Sequence, residues 1–397
     1  MTDLPTLRLK PKMDTRRLRY GFPWVYANEC VLDRRTKALP AGSLAIVADN
    51  DGRELGLVGF NSASKIVGRV LSQDTSTVLD AAWFEAKIKR ALDHRDTMFP
   101  TPHYRLIHAE ADGMPGVIID RFGDTFVVQP NAAWADARVQ LIADALVKLA
   151  GAACVLLNGQ GRARSLEGLE EFRKALVGEV PTLPLAVPMN GATYLADLRD
   201  GQKTGIFYDQ RPNHAFAQRL AKGARVLDVF SHVGGFGLAA RAAGAASVTL
   251  VDGSEPALAL AEQGAAATPS DGDFDMIKSD AFKALERLLE EGKTYDVVIC
   301  DPPAFAPSKN ALEAGLRAYE RIARMAAPLV ADGGYLGLCS CSHAATLEKF
   351  RASSIRGIGR AGRTGQLVFT GGAGPDHPQH PSLAESSYLK ALFFRML

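Results

Sequence analysis

Residues 225–243 read ArgValLeuAspValPheSerHisValGlyGlyPheGlyLeuAlaAlaArgAlaAla. Val226 to Phe230 has the length and apolar character of a short buried strand. A loop carrying Gly234, Gly235 and Gly237 follows it, and an alanine-rich helix follows the loop. Glycines between a parallel strand and a helix let a ligand approach the backbone at a helix N-terminus. Open α/β sheets bind their ligands at the carboxyl ends of the strands. Asp228 sits inside that strand end. A carboxylate there repels a phosphate. It suits a ligand with a positive group, such as the sulfonium and amino group of S-adenosylmethionine (SAM). The glycine loop alone does not decide between these ligands.

From this stretch to the C-terminus, strands and helices alternate, the pattern of a doubly wound sheet. Strands are expected at 226–230, 246–252, 274–278, 295–300, 335–341, 365–370 and 388–395. Asp252 closes the second, roughly twenty residues past the glycines, where an acid accepts hydrogen bonds from ribose hydroxyls. The third ends near Asp280, Ala281 and Phe282, where the acid can read an adenine amino group and the ring can be covered. Each acid also reads as a helix N-cap. Single acids do not discriminate, whereas acids closing successive strands are not independent.

Two strand ends carry the chemistry. Asp301, Pro302, Pro303, Ala304 and Phe305 follow the fourth strand. Two prolines fix the backbone and remove its donors, so the acid and the aromatic form a rigid clamp for a flat base. A plain turn would also use Asp–Pro. The fifth strand runs into Leu338–Cys339–Ser340–Cys341–Ser342–His343. Cys339, Cys341 and His343 share a face if the strand continues. That is poor spacing for zinc. Cys30, Cys154, Cys300 and Cys339 read as buried, inert thiols, and Cys341 as a nucleophile at the exposed end. Its thiolate would attack carbon 6 of a cytosine and turn carbon 5 into a carbanion-like centre able to take a methyl group. Asp301 would bond near ring nitrogen 3 and stabilise the developing charge.

The 397 residues exceed one ordinary core. Residues 1–75 are expected to form a small β-barrel, with strands around the Asn50–Asp51–Gly52 turn and at Ile66–Leu71. Its first forty residues hold nine Lys/Arg against four Asp/Glu, interleaved with Tyr20, Phe22, Trp24 and Tyr26. Such a face is either solvated charge or a nucleic-acid surface, where cations meet phosphates and rings stack on bases. Residues 76–190 read as a connector helix and a central α+β piece, with one helix over Ala133–Ala150. Asn190–Gly191 marks a hairpin between 185–189 and 192–197. Residues 191–397 form the third domain. Lys203 and Asp209–Gln210–Arg211 lie just before the glycine-loop strand. The chain lacks a membrane-length apolar run and a signal pattern, so a cytoplasmic protein with no membrane partner is expected.

Taken together, ValLeuAspValPheSerHisValGlyGlyPheGly, AspProProAlaPhe, SerCysSer and LysThrGlyIlePheTyrAspGlnArg resemble the RlmI-type bacterial 23S rRNA cytosine-C5 methyltransferases over nearly the full chain. The resemblance implies a PUA domain at the N-terminal end and a class I Rossmann-like domain binding SAM. It implies a nucleophile at Cys341, with Asp301 beside it. It assigns Asp228, Ser231, Gly234, Gly235, Asp252, Asp280, Ala281, Asp209 and Gln210 to the cofactor, and Pro302, Pro303, Phe305, Arg211 and Lys203 to the RNA. No metal is implied. The oligomeric state stays open, a homodimer included. AspHisPro (376–378) and TyrLeuLys (388–390) fit the family's C-terminal pattern, and His377 receives no role. His232 stands where relatives often carry an aromatic. A guanine-N2 methyltransferase would share these motifs without needing Cys341. A nicotinamide dehydrogenase would not explain Asp228 or the Asp301 clamp. An RNA-binding protein that has lost catalysis would not explain the full set of strand-end acids.

Overall fold

The computed structural model describes residues 4–199 and 205–397, so Lys203 lies outside the described residues. The chain divides into two compact units. The first comprises the residues up to Val180 together with Asp376–Ser386, and the second comprises Pro181–Pro375 and Ser387–Leu397. The boundary expected at 190/191 instead falls in the turn of a hairpin that belongs wholly to the second unit.

The first unit contains two five-stranded sheets. The N-terminal sheet is built from β1 (Thr6–Arg8), β2 (Trp24–Tyr26), β3 (Leu44–Ala48), β4 (Glu54–Phe60) and β5 (Ile66–Ser72), in the order β1-β3-β4-β5-β2. Leu7, Val25, Val47, Val58 and Val67 fill its core. Phe22, Trp24 and Tyr26 pack on one another at 6.2–6.4 Å, with the Arg17 guanidinium 4.7 Å from the Phe22 ring. Tyr20 is the ring of this group left mostly exposed. The second sheet holds β6 (His103–His108), β7 (Val117–Phe122), β8 (Thr125–Pro130), β9 (Cys154–Gly159) and β10 (Phe172–Val177). The single helix expected over Ala133–Ala150 is two, Ala133–Asp136 and Val139–Ala150. The break lets Trp134 turn inward, where its Nε1 donates to the Pro115 carbonyl and its ring stacks on Phe84.

The second unit opens with the hairpin β11 (Leu185–Met189) and β12 (Ala192–Ala196). Asn190 and Gly191 both take positive φ, as a two-residue turn of this hand requires. Seven strands then form one sheet: β13 (Arg225–Val229), β14 (Ser247–Asp252), β15 (Asp273–Lys278), β16 (Tyr295–Cys300), β17 (Val330–Ser340), β18 (Gly365–Gly371) and β19 (Lys390–Met396). Their order is β15-β14-β13-β16-β17-β19-β18. The pairs from β15 to β17 are parallel, and β19 runs antiparallel between β17 and β18. The order reverses at β13, so the crevice at a topological switch point opens beyond the ends of β13 and β16. β17 stops at Ser340, where its ladder to β19 ends in the Ser340–Lys390 pair. Cys341 therefore lies one residue past the strand, and the alternation expected to align it and His343 with Cys339 ends before it reaches either. Among the described residues, no helix is long and apolar enough to cross a membrane.

Candidate active site

β13 delivers Asp228 into the sheet with no exposed surface. Its Oδ2 accepts the Gly237 N–H at 2.8 Å, and its Oδ1 has no hydrogen-bond partner among the described residues. Burial pushes this carboxyl up to about 7; the nearby Asp252 adds to the rise, while the Gly237 and Phe236 N–H groups oppose it. The loop after β13 is wound tightly. Phe230 and His232 take left-handed φ of 64° and 51°, and Gly234 takes 84°, so strain is concentrated at this strand end. At Gly237 a Cβ would come within 2.2 Å of Leu250 Cδ2, so only glycine brings the helix Gly235–Ala242 close enough to bond Asp228. The Ser231 hydroxyl is buried and also without a partner among the described residues. A buried carboxylate oxygen and a buried hydroxyl, both unpaired beside a glycine turn, are costly unless a ligand completes them. A cationic group satisfies Asp228 best, so these residues fit SAM.

Asp252 ends β14 with both oxygens on backbone donors, Oδ2 from His232 and Oδ1 from Ser254, each at 2.8 Å. Each oxygen keeps a lone pair for a ribose hydroxyl. Asp280 is exposed and caps the helix Ala281–Glu290, its Oδ1 accepting from Phe282 and Lys283. The cap reading of this acid is thus realised in the geometry, and Oδ2 remains for a ligand. Ala281 is buried at the first position of that helix. Phe282 lies under the Arg321 guanidinium at 4.4 Å.

The Asp301 carboxylate stands one residue past β16. Gln210 Nε2 donates to its Oδ2 at 2.9 Å, and Gln210 Oε1 accepts from Asn213 at 2.6 Å. Asn213 also donates to the Gly372 carbonyl. Asp209 accepts from the Tyr388 hydroxyl at 2.5 Å, and its carbonyl from Gly374. The Asp209–Gln210–Arg211 segment therefore braces Asp301, and its amide and carboxylate groups are occupied by protein partners. Arg211 lies over the Tyr208 ring at 5.4 Å. Pro302 is buried, Pro303 exposed and Phe305 half-buried, its ring 5.1 Å from Tyr319.

Cys341 is half-buried, whereas Cys30, Cys154, Cys300 and Cys339 are buried. Burial holds the Cys339 thiol well above its ordinary value. Ser340 and Ser342 flank Cys341 and have no exposed surface. Both hydroxyls meet the Tyr319 hydroxyl, at 2.9 and 2.7 Å, and Ser342 Oγ accepts the Ala306 N–H. The backbone is pinned on each side of the one cysteine that solvent reaches. Sequence reasoning missed Tyr319, Asn213 and Lys390. Only TyrLeuLys (388–390) had drawn notice, without a role. Among the described residues, no three His, Cys, Asp or Glu side chains cluster as metal ligands.

Residues 139–395 match the S-adenosylmethionine-dependent methyltransferase family, and residues 7–73 match a PUA-like domain. The protein named ribosomal RNA large subunit methyltransferase I from Aeromonas salmonicida is 34% identical over 378 residues, covering 94% of this chain and 95% of that protein. Its namesake from Shewanella amazonensis is 34% identical over 394 residues, covering 98% and 99%. A solved structure from Streptococcus mutans, described as a SAM-dependent methyltransferase, shares the fold with a TM-score of 0.81 at 20% identity, over 99% of this chain and 100% of that one. A methyltransferase solved with SAH aligns with a TM-score of 0.82 at 20% identity, over 98% and 99%. Matched along nearly their whole lengths, these sequences share one origin: the chain belongs to the S-adenosylmethionine-dependent methyltransferases, in the family of the ribosomal RNA large subunit methyltransferase I proteins.

Proposed function

We propose that this enzyme methylates carbon 5 of a cytosine in large-subunit ribosomal RNA through a covalent bond from Cys341. The large-subunit RNA follows from the names of the relatives. The observation that carries the cytosine reading is the placement of Cys341, half-exposed on a pinned turn past β17, beside β16, the strand that Asp301 follows. An exocyclic nitrogen would need no such thiol, whereas carbon 5 of a pyrimidine is too weak a nucleophile without one.

SAM, when bound, supplies an electrophilic methyl group. The chain's own residues do the rest. The Cys341 thiolate gives its lone pair to carbon 6, and the C5–C6 π pair moves toward carbon 4 and ring nitrogen 3. Asp301, held by Gln210, passes a proton to nitrogen 3 as charge builds there. Carbon 5 then carries the electron pair that takes the methyl group. A base removes the carbon-5 proton, that C–H pair rebuilds the C5–C6 double bond, and the C6–S pair returns to Cys341. The proton on nitrogen 3 returns to Asp301. Pro302, Pro303 and Phe305 shape the wall against which the base lies, and Arg211 serves the RNA backbone.

Replacing Cys341 with Ala is expected to abolish labelled-methyl transfer to ribosomal RNA while SAM binding by calorimetry persists. RNA carrying 5-fluorocytosine is expected to form a denaturation-stable adduct, since fluorine cannot leave as a proton does. Continued methylation by C341A points to nitrogen chemistry on a purine and overturns the cytosine reading.

A further inference from the structure

Lys390 begins β19 directly across the ladder from Ser340. Its side chain is 7% exposed. Its Nζ donates to the carbonyls of Ser342 and Ala345, both at 2.7 Å, straddling the turn that carries Cys341. An ammonium has three donors, and the third has no hydrogen-bond partner among the described residues. Two surfaces of the turn are thereby fixed: Tyr319 holds the hydroxyls of Ser340 and Ser342, and Lys390 holds the carbonyls beyond them.

We infer that Lys390 is a positioning residue that keeps a positive charge beside the Cys341 sulfur and so holds it as a thiolate. The inference rests on the nucleophile reading of Cys341 and adds how that sulfur becomes reactive. Burial lowers Lys390 to about 8, and the Cys341 sulfur opposes that fall. The ammonium therefore survives at neutral pH, and the same attraction acts in reverse on the thiol. The other titratable groups around the turn are Tyr319, whose hydroxyl burial keeps protonated, Asp301 just past β16, which carries the proton for ring nitrogen 3 in the proposed reaction, and His343 two residues along the turn, its ring 5.5 Å from that of Tyr388. Lys390 is the ammonium set against them. With sulfur already ionised, bond formation to carbon 6 releases no proton, so no base is needed at that step.

The test is the pH dependence of Cys341 alkylation by iodoacetamide in the full-length protein, read by peptide mass mapping. The other four cysteines are buried, so this thiol reacts first. The wild-type rate should inflect clearly below the ordinary thiol value of roughly 8.5. Lys390→Met should move the inflection up by about one unit, a roughly tenfold slower alkylation at pH 7.5, and Lys390→Arg should restore most of it. The turnover number of K390M should fall with the RNA KM unchanged and recover at alkaline pH. A wild-type inflection at or above roughly 8.5 overturns the inference, and does so even if K390M fails to fold. An unshifted inflection in folded K390M also overturns it. If the inflection depends on Lys390 while C341A still methylates RNA, the nucleophile reading fails and the electrostatic pairing stands.

Discussion

Asp228 holds the tightest physical constraint in the second unit. A carboxyl with no exposed surface, one oxygen bonded and the other not, titrates near 7 instead of near 4. The sign follows directly. Between the unfolded value and about 7 the folded chain holds the extra proton, so the cofactor-free protein loses stability as pH rises through that window and no more above it. A cationic ligand needs the ionised form. Its affinity should therefore rise with pH up to about 7, by at most tenfold per unit, and then level off; calorimetric titration with SAM from pH 5.5 to 8 reads this. Asp228→Asn should melt higher than wild type above pH 7 without ligand, and bind SAM at least tenfold more weakly. A flat pH profile of affinity would count against Asp228 as the group that meets the cation.

The element scale is governed by how strands end. Each parallel strand of the sheet hands the chain to a helix, and the polar residue at the junction can serve the helix, a ligand or both. Asp280 serves the helix Ala281–Glu290 through one oxygen. Loss of such a cap costs about 1 kcal/mol. Asp280→Ala should lower the melting temperature accordingly and also weaken SAM binding several-fold, since the second oxygen goes with it. Asp280→Asn, which still accepts at the cap, should keep wild-type stability. Thermal melts paired with calorimetry separate the two roles. The Asp301 junction differs because two prolines follow it: no cap forms, and its carboxylate is braced sideways by Gln210. The Cys341 junction differs again. The ladder ends one residue earlier, which turns the thiol out of the strand's alternation and leaves it half-exposed.

Across the whole molecule, the chain leaves its second unit at Asp376 and returns at Ser387. The excursion belongs to the first unit and is tied there by buried hydrogen bonds. Asp376 has no exposed surface, and its Oδ2 accepts the Arg105 N–H, while its carbonyl accepts from Arg95. Arg95 is itself paired bidentately to Asp112 at 2.7 and 2.8 Å, and His377 Nδ1 lies 3.0 Å from Asp376 Oδ1. Leaving buried donors such as the Arg105 N–H without their carboxylate acceptor costs about 1–3 kcal/mol each. Asp376→Ala should therefore lower the melting temperature of the first unit strongly. Burial pushes the neighbouring His108 far below its ordinary range. Because the folded form resists that proton, the stability of the first unit should fall as pH drops below roughly 6.5. Asp228 acts with the opposite sign in the second unit, so the comparison is with His108→Gln: a variant that loses as much melting temperature from pH 7 to 5 as the wild type would contradict this.

The succession of strands along the chain, the glycine turn, the Asn190–Gly191 hairpin and the series of strand-end acids were all legible in the sequence, because each is a local pattern. Alternation, glycine spacing and turn chemistry act within a few residues and need no partner. The break after Asp136 was not legible, since it depends on where Trp134 is buried. The bracing of Asp301 by Gln210, of Asp209 by Tyr388 and of the Cys341 turn by Lys390 joins residues 91, 179 and 48 positions apart. The last two contacts depend on β19, which inserts antiparallel between β17 and β18 and brings the chain's last strand against β17. Local pattern thus determined which residues are chemically capable. The strand order of the folded sheet decided which of them meet, because side-chain hydrogen bonds act over about 3 Å, whatever the distance along the chain.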